Sequence, residues 1–167
     1  VSPWVYWGDA TPVAKDVVQI PEKELTVTSK EPSVKYRGIF LNDEAPSLTS
    51  YAKKKFGGYN QYFYENVYEL ILRCKGNYLW PAMWSNTFSE DGKGTNKLAN
   101  AELADKYGIV MGTSHHEPLC RAGVEWQNKY RQYGTSNAWD FNANETAITK
   151  FWEDGVARNK NFENVYT

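Results

Sequence analysis

The chain has 167 residues, with 19 Lys and Arg against 20 Asp and Glu and a formal net charge of −1. This balance argues against a nucleic-acid partner, because nucleic-acid-binding proteins carry a basic excess or a basic face. No apolar run approaches the ~18–20 residues that span a bilayer, so we expect no membrane partner. Two cysteines, Cys74 and Cys120, cannot build a disulfide framework, and their spacing matches no zinc motif.

Aromatic residues make up 16% of the chain, including seven Trp and twelve Tyr. Trp and Tyr offer a flat apolar face with a polar tip, which suits sugar rings as well as ordinary cores. The composition therefore favours a carbohydrate-active protein without establishing one.

Prolines divide residues 1–33 into short pieces, with one strand-like alternating run over 24–28. Such pieces do not form a core of their own, so we interpret 1–33 as the tail of a preceding domain and a linker. Residues 34–167 form the second part of the chain.

Strands and helices alternate in this second part. Strand-like runs cover 34–41, 77–80 and 109–114, and a fourth run opens at 164. Helical spacing occupies the segments between them: 63–74 before a stop at Gly76, 98–107 between a cap at Thr95 or Asn96 and Gly108, and 148–156 after a cap at Asn144. The run Lys53-Lys54-Lys55 is typical of a solvated helix face.

This alternation predicts a parallel α/β fold. Each strand starts plainly and ends in polar residues, which favours a (β/α)8 TIM barrel, because the chemistry of such barrels gathers at the carboxyl ends of the strands. No Gly-x-Gly-x-x-Gly loop follows a strand, so we expect no dinucleotide cofactor. A complete barrel takes roughly 250 residues. We therefore predict a partial barrel, about the first three to four βα units over 34–167, in a piece of a larger protein.

The first candidate site follows the first strand, at Asn42-Asp43-Glu44. Only one of two adjacent acids can point inward from an extended segment, and we choose Asp43, with Glu44 outside or capping. The alternative is a solvated turn before Pro46.

The second candidate site lies beyond Trp80, where Pro81 ends strand pairing. Trp80 is the expected core residue, and Trp84 could form a stacking platform for a pyranose ring. The alternative is that both tryptophans only pack.

The third candidate site is His115-His116-Glu117. A metal site is disfavoured, because adjacent histidines on a strand face opposite ways. A single inward imidazole could be catalytic or orient substrate, and the alternative is a structural histidine that holds the loop.

The long connection from 118 to 144 combines Arg121 with several aromatic residues. A guanidinium could hold the carboxylate of an anionic sugar while rings cover its faces. The apolar residues of this connection keep helical spacing, so an extra helix packed on the barrel is an alternative of equal weight to a sugar-binding loop.

Taken together, these segments resemble glycoside hydrolase family 115, the xylan α-1,2-glucuronidases. The resemblance rests on RGIFLNDEAP (37–46), KFGG (55–58), KGNYLWPAMW (75–84) and GIVMGTSHHEP (108–118), with RNKNFEN (158–164) and the opening WVYW (4–7). It covers essentially the whole chain, and the long motifs occur in the right order.

The resemblance implies removal of (4-O-methyl-)glucuronic acid from the O2 position of xylose in glucuronoxylan, with inversion at the anomeric carbon. It implies a large multidomain enzyme with a central barrel, of a kind that is often homodimeric and generally exported to the periplasm or the extracellular space. We expect no cofactor and no metal. Asn42, Asp43, Trp84 and His115 match the family's active-site motifs.

We accordingly predict Asp43 and His115 as catalytic residues. The substrate-binding predictions are Asn42, Glu44, Trp84, His116, Glu117 and Arg121, and Arg37 and Arg121 are the candidates for the uronate carboxylate.

Inverting hydrolysis needs an acid and a base ~6.5–9.5 Å apart. At most one of the two, Asp43, lies in this chain, so we expect the isolated chain to be inactive. Two alternatives stay open: a non-catalytic carbohydrate-binding module, and a metal-dependent barrel hydrolase that uses Asp43, His115, His116 and Glu117.

Overall fold

A computed structural model describes residues 13–166, and the chain divides into two units between Lys35 and Tyr36. Among its described residues, 13–35, the first unit contains one short helix, α1 (Glu22–Leu25), with no buried residue. The strand predicted over 24–28 is wrong, because the chain turns into this helix after Pro21, whose carbonyl accepts a hydrogen bond from the Glu24 amide at 2.8 Å. The motif at 4–7 lies outside the described residues.

The second unit is built on a three-stranded parallel sheet in the order β1-β2-β3. Its strands are β1 (Gly38–Phe40), β2 (Tyr78–Trp80) and β3 (Val110–Met111). The predicted fourth strand is present as a single parallel bridge between Met111 and Val165. The prediction of a parallel α/β fold is confirmed, although each strand is shorter than its apolar run suggested.

Five longer helices and two 3-10 turns connect the strands. The helices are α2 (Ser47–Phe56), α3 (Gln61–Arg73), α4 (Ala99–Tyr107), α5 (Gly123–Lys129) and α6 (Phe141–Asn159), and the turns are Pro118–Cys120 and Tyr130–Gln132. None of the described helices is long and apolar enough to cross a membrane.

Helix ends follow the predicted signals only in part. The predicted cap of α4 at Thr95 or Asn96 is wrong, because the helix is preceded by Leu98, which makes no side-chain cap. Gly108 ends α4 in the left-handed conformation, as predicted. At the end of α3, however, Lys75 takes the left-handed conformation (φ 61°), and Gly76 is the next residue. Gly76 is needed for close approach, since a Cβ there would lie 2.8 Å from the Ile71 side chain and 2.9 Å from the Arg37 carbonyl oxygen.

The register places alternate strand residues on opposite faces of the sheet. Ile39, Leu79 and Met111 are paired across the three strands, and Leu79 and Met111 are buried. Trp80 is the next residue along β2 and therefore lies on the other face. The prediction that Trp80 is a core residue is wrong: it is 37% exposed, and its ring meets Phe40 edge-on.

A core of buried aromatic residues from α3 fixes the chain where it leaves β2. Phe63, Tyr64 and Tyr68 are fully or almost fully buried. The Tyr64 hydroxyl accepts a hydrogen bond from the Ala82 amide at 3.2 Å. Asn100 of α4 donates to the Phe88 carbonyl at 2.8 Å, so the segment after β2 is tied to both helices.

The connection from 118 to 144 is mostly helical. Trp126 of α5 packs against Ile148 and Phe151 of α6 in a second hydrophobic core. The plain-helix alternative is therefore what the structure shows. Gly155 lets α6 approach the first 3-10 turn closely, because a Cβ there would collide with the Leu119 carbonyl.

Candidate active site

A pocket of about 530 Å³ lies where the chain leaves all three strands at their carboxyl ends. Its lining comes from the segments after β1, β2 and β3: Phe40, Leu41, Asn42, Asp43, Glu44, Met83, Trp84, Ser114, His115, His116 and Glu117. The predicted convergence of Asp43, Trp84 and His115 is thus observed. Met83 and Ser114 are lining residues that the sequence analysis did not single out.

Asp43 is buried and holds the loop after β2 in place. Its Oδ1 accepts from the Trp84 amide at 3.0 Å, and its Oδ2 accepts from the Ser85 amide at 2.6 Å and the Asn86 side chain at 2.5 Å. Both carboxylate oxygens therefore face N–H donors of one loop. This arrangement positions Trp84, and the catalytic role of Asp43 stays a prediction.

Asn42 and Glu44 flank Asp43 and are both exposed at the pocket. The prediction that Asp43 points inward is confirmed, because Asn42 and Glu44 are exposed whereas Asp43 is only 8% exposed. The Glu44 backbone carbonyl accepts hydrogen bonds from the Ser47 hydroxyl and the Thr49 amide at the start of α2. Glu44 thus caps the helix through its main chain and leaves its carboxylate at the pocket.

Three rings form a continuous wall of the pocket. Trp84 is 49% exposed and stacks on His116 with ring centroids 6.1 Å apart and planes 13° apart. His115 and His116 lie with ring centroids 4.0 Å apart. The expectation that the histidines face opposite ways is wrong, because the strand has ended before them and a turn brings the rings together.

Glu117 is buried and closes the turn that carries the histidines. Its Oε2 accepts from the Ser114 amide at 2.9 Å and the Ser114 hydroxyl at 2.5 Å. The carboxylate is therefore used within the turn, so the structure gives Glu117 a positioning contact where we predicted a substrate contact.

The described residues contain no group of three or more His, Cys, Asp or Glu side chains that could hold a metal ion. The two imidazoles meet at the pocket, but the Glu117 carboxylate is bound to Ser114 and Asp43 to the β2 loop. These side chains therefore give no support to the metal-dependent alternative.

Arg121 does not reach the pocket, so its prediction as a substrate-binding residue is wrong. Its side chain is buried, pairs with Glu125, and donates to the Tyr133 hydroxyl at 3.1 Å. Its guanidinium lies 4.4 Å from the ring centroid of Phe151. The 3-10 turn directs the side chain into the α5–α6 core, where its two terminal nitrogens have protein partners and its buried Nε has none.

Arg37 does not reach the pocket either. It precedes β1, at the opposite end of that strand from Asn42, and its Nε donates to the Lys75 carbonyl at 3.0 Å. Neither arginine proposed for a uronate carboxylate lies at the pocket.

A buried ion cluster is the polar feature that the sequence analysis missed. Glu125 is bound by Arg121, by Arg158 at 2.9 Å and by Lys129 at 3.1 Å, and Lys129 also pairs with Glu90 at 2.8 Å. The i,i+4 spacing of Glu125 and Lys129 signals part of it on α5, and Arg121 lies just before that helix. The long-range contacts tie α5 and α6 to the loop that carries Glu90.

The charges of this cluster act on Glu90. Burial by itself raises the pKa of Glu90, but the hydrogen bond from Lys129 and the charges of Arg158 and Arg121 outweigh it. The pKa of Glu90 therefore lies below its ordinary value of 4.5.

A carboxyl with a lowered pKa stabilises the fold above its unfolded-state pKa and loses that contribution as pH falls through its folded-state pKa. We expect Glu90→Gln to be less stable than the parent at neutral pH, with the difference lost as pH falls below 4.5 and through the lowered folded-state pKa of Glu90. Urea unfolding midpoints across this range provide the measurement. A difference that stayed constant with pH would contradict it.

The arrangement at the pocket suits a sugar. Trp84 presents an exposed indole, the His pair offers hydrogen bonds to hydroxyl groups, and Asn42 and Glu44 add further polar groups at the rim. Asp43 and Glu117 fix two of the three contributing segments. The pocket is thus a preorganised surface for a polar ring with one apolar face.

Comparison with known proteins gives a consistent result. The profile of glycosyl hydrolase family 115 matches residues 29–167. One similar solved structure is described as a novel family GH115 4-O-methyl-α-glucuronidase with specificity for decorated arabinogalactans; it is 33% identical, with a TM-score of 0.72 over 99% of this chain. The chain spans 21% of the length of that protein. No curated protein matches this chain. Since the family profile covers most of the sequence, the resemblance noted in its motifs is confirmed, and the chain belongs to glycosyl hydrolase family 115.

Proposed function

We propose that this chain is part of the (β/α)8 barrel of a glycosidase that removes (4-O-methyl-)glucuronic acid side chains from glucuronoxylan by inverting hydrolysis. The observation that carries the proposal is a pocket at the carboxyl ends of three adjacent parallel strands, with Asp43, Trp84 and His115 around it. That edge of a parallel barrel is where such enzymes place their active sites. The parallel bridge at Val165 fits a fourth strand of the same barrel.

The carrier polysaccharide is tested separately from the uronic acid that is released. The motifs resemble xylan α-1,2-glucuronidases, whereas the similar solved structure is described as specific for decorated arabinogalactans. Both descriptions share a glucuronic acid side chain as the group released. We propose glucuronoxylan as the carrier, and decorated arabinogalactan is the second candidate that the comparison favours.

Within this proposal, each pocket residue has a role. Trp84 stacks on a sugar ring, His115 and His116 contact its hydroxyl or carboxylate groups, and Asp43 holds the Trp84 loop. Asn42 and Glu44 contact the substrate from the exposed rim. The catalytic acid/base pair is completed, and the uronate carboxylate is held, by residues elsewhere in a longer polypeptide.

The proposal extends to the whole protein. We propose that it is exported, that it forms a homodimer, and that the isolated 167-residue chain has no activity. Cell fractionation tests export, the mass in solution tests dimerisation, and an activity assay of the chain alone tests for turnover.

The test is release of 4-O-methylglucuronic acid from glucuronoxylan and from arabinogalactan by the full-length protein, with Trp84→Ala beside it. Loss of the stacking face is expected to cost about 1–1.5 kcal/mol, or roughly ten-fold in kcat/KM. Tyr62→Ala is the matched control, because Tyr62 is an exposed aromatic on α3, away from the pocket lining.

Two outcomes would contradict the proposal. If the full-length protein released uronic acid from neither polysaccharide, the proposed hydrolytic activity would be contradicted. Binding of both polysaccharides without any turnover would favour the carbohydrate-binding module instead.

A further inference from the structure

A second cavity adjoins the candidate site and shares its two histidines. This cavity of about 590 Å³, here called the aromatic groove, is lined by His115, His116, Pro118, Trp139, Phe141, Ile148 and Trp152. The pair His115–His116 therefore belongs to both cavities and forms the wall between them. Nothing in the proposed function uses the residues on the far side of that wall.

The groove presents rings with open surface. Trp139 is 41% exposed and Phe141 is 44% exposed. Phe141 stacks on Trp152 with centroids 5.6 Å apart and planes 16° apart, and Trp139 meets Trp152 edge-on at 5.9 Å. The rings are thus supported from within the protein while part of their surface stays accessible.

The segment that carries Trp139 is held by hydrogen bonds from side chains of α5 and α6. The Trp126 indole donates to the Asn137 carbonyl at 2.9 Å, and Asn144 donates to the Ser136 and Ala138 carbonyls at 3.2 and 3.3 Å. Asp140 caps α6 by accepting from the Asn142 amide at 3.0 Å, which sets Phe141 at the helix start. The rings are therefore fixed before any ligand binds, and a ligand would not have to order them.

The two cavities differ in charge. The candidate site includes the carboxylates of Asp43, Glu44 and Glu117. The lining of the groove contains no Asp, Glu, Lys or Arg side chain among the described residues. Its polar side chains are two imidazoles and two indoles. The Trp152 Nε1 is buried, so the imidazoles and the exposed Trp139 indole are the groups that can hydrogen-bond hydroxyl groups without a charged partner. The groove therefore suits a neutral ligand with apolar faces and hydroxyl edges.

We infer that the aromatic groove is a subsite for the neutral pyranose units of the polysaccharide that carries the uronic acid. The inference rests on the proposed function, since it takes the uronic acid to lie in the adjoining pocket. A carrier chain attached there would continue past the His pair into the groove, where Trp139 and Phe141 contact the faces of its sugars. These two residues would then set how strongly the enzyme prefers a polymer to a small glucuronide.

The primary test uses Phe141→Ala in the full-length protein, because Phe141 is the more exposed of the two rings. Binding of neutral xylo-oligosaccharides and galacto-oligosaccharides is measured by calorimetry, and we expect Phe141→Ala to weaken it about ten-fold. Trp139→Phe is the second variant, since a smaller ring preserves much of the packing. Tyr62→Ala is the aromatic control and should bind as the parent does.

The kinetic arm separates a subsite from a structural role. For a decorated polysaccharide, Phe141→Ala should raise KM about ten-fold. For an aryl glucuronide, which has no carrier sugar, kcat and KM should both stay within two-fold of the parent's values. A two-fold change corresponds to about 0.4 kcal/mol. An equal loss on both substrates would overturn the inference.

Failure of the groove and failure of the proposed function are distinguishable. If the parent protein binds neutral oligosaccharides and Phe141→Ala does not, the groove stands even when no uronic acid is released. Alternatively, uronic acid is released while both groove variants keep the parent's KM for polymer and its affinity for oligosaccharides. That result overturns the inference that the groove is a subsite, and the proposed function stands.

Discussion

Replacing Asp43 with Asn is expected to lower kcat/KM for the decorated polysaccharide by about 10²-fold or more in the full-length protein. The carboxylate accepts three hydrogen bonds from the β2 loop, from the Trp84 and Ser85 amides and the Asn86 side chain. An Asn amide would turn an N–H group toward one of these donors, and hydrogen bonds to a charged group are worth about 1.5–3 kcal/mol each. The loop would move, and Trp84 with it.

The measurement is steady-state kinetics on glucuronoxylan, with Asp105→Asn as the control. Asp105 is an exposed acid on α4, and its substitution should leave the activity unchanged. Activity of Asp43→Asn within a few-fold of the parent would contradict the prediction.

The pH profile then separates the two roles of Asp43. If it acts by positioning the loop, the residual activity of Asp43→Asn keeps both limbs of the parent's profile. If it transfers a proton, one limb is lost. The loop contacts of both carboxylate oxygens favour the first outcome, and loss of one limb would support the catalytic role predicted for Asp43.

Replacing Glu125 with Gln is expected to destabilise the fold by about 3–5 kcal/mol, the largest stability effect that the structure indicates. Glu125 is 4% exposed and is the shared partner of Arg121, Arg158 and Lys129. Removing its charge takes away the carboxylate that pairs with the buried Arg121 guanidinium, while Arg158 keeps its contact with Glu90 at 3.3 Å. Breaking such a buried pair costs more than the pair itself contributes.

Urea unfolding at neutral pH measures this loss. Glu145→Gln on the exposed surface of α6 is the control and should change the free energy of unfolding by less than about 0.5 kcal/mol. A loss below about 1 kcal/mol in Glu125→Gln would show that the cluster is not the buried network described above.

The positions of the elements could be predicted because they depend on neighbours in the sequence. Helical spacing placed the helix that ends at Gly108, and the apolar runs before Asn42, Pro81 and His115 placed the three strands. Asn144 is a partial case: it does break the helical conformation, but Asp140 starts the helix one turn earlier.

The meeting of the three candidate segments at one pocket could be predicted from the order of parallel strands. Parallel neighbouring strands bring their carboxyl ends to one edge, so segments 42–44, 84 and 115–117 had to meet. The roles of individual side chains did not follow. Glu117 closes its own turn and Asp43 binds a loop more than forty residues away, and no periodicity encodes either contact.

The sequence by itself determined the family, the alternation of strands and helices, and the polar strand ends that form the pocket, because these are recorded in contiguous motifs and local periodicity. Only the tertiary structure decided that Arg121 faces a buried glutamate, that the two histidines touch, and that Trp139 and Phe141 lie across them from Trp84. Those outcomes depend on the packing of α5 and α6 against each other and on the turn after β3. Such contacts join residues that are distant in the chain, and they exist only once the core has formed.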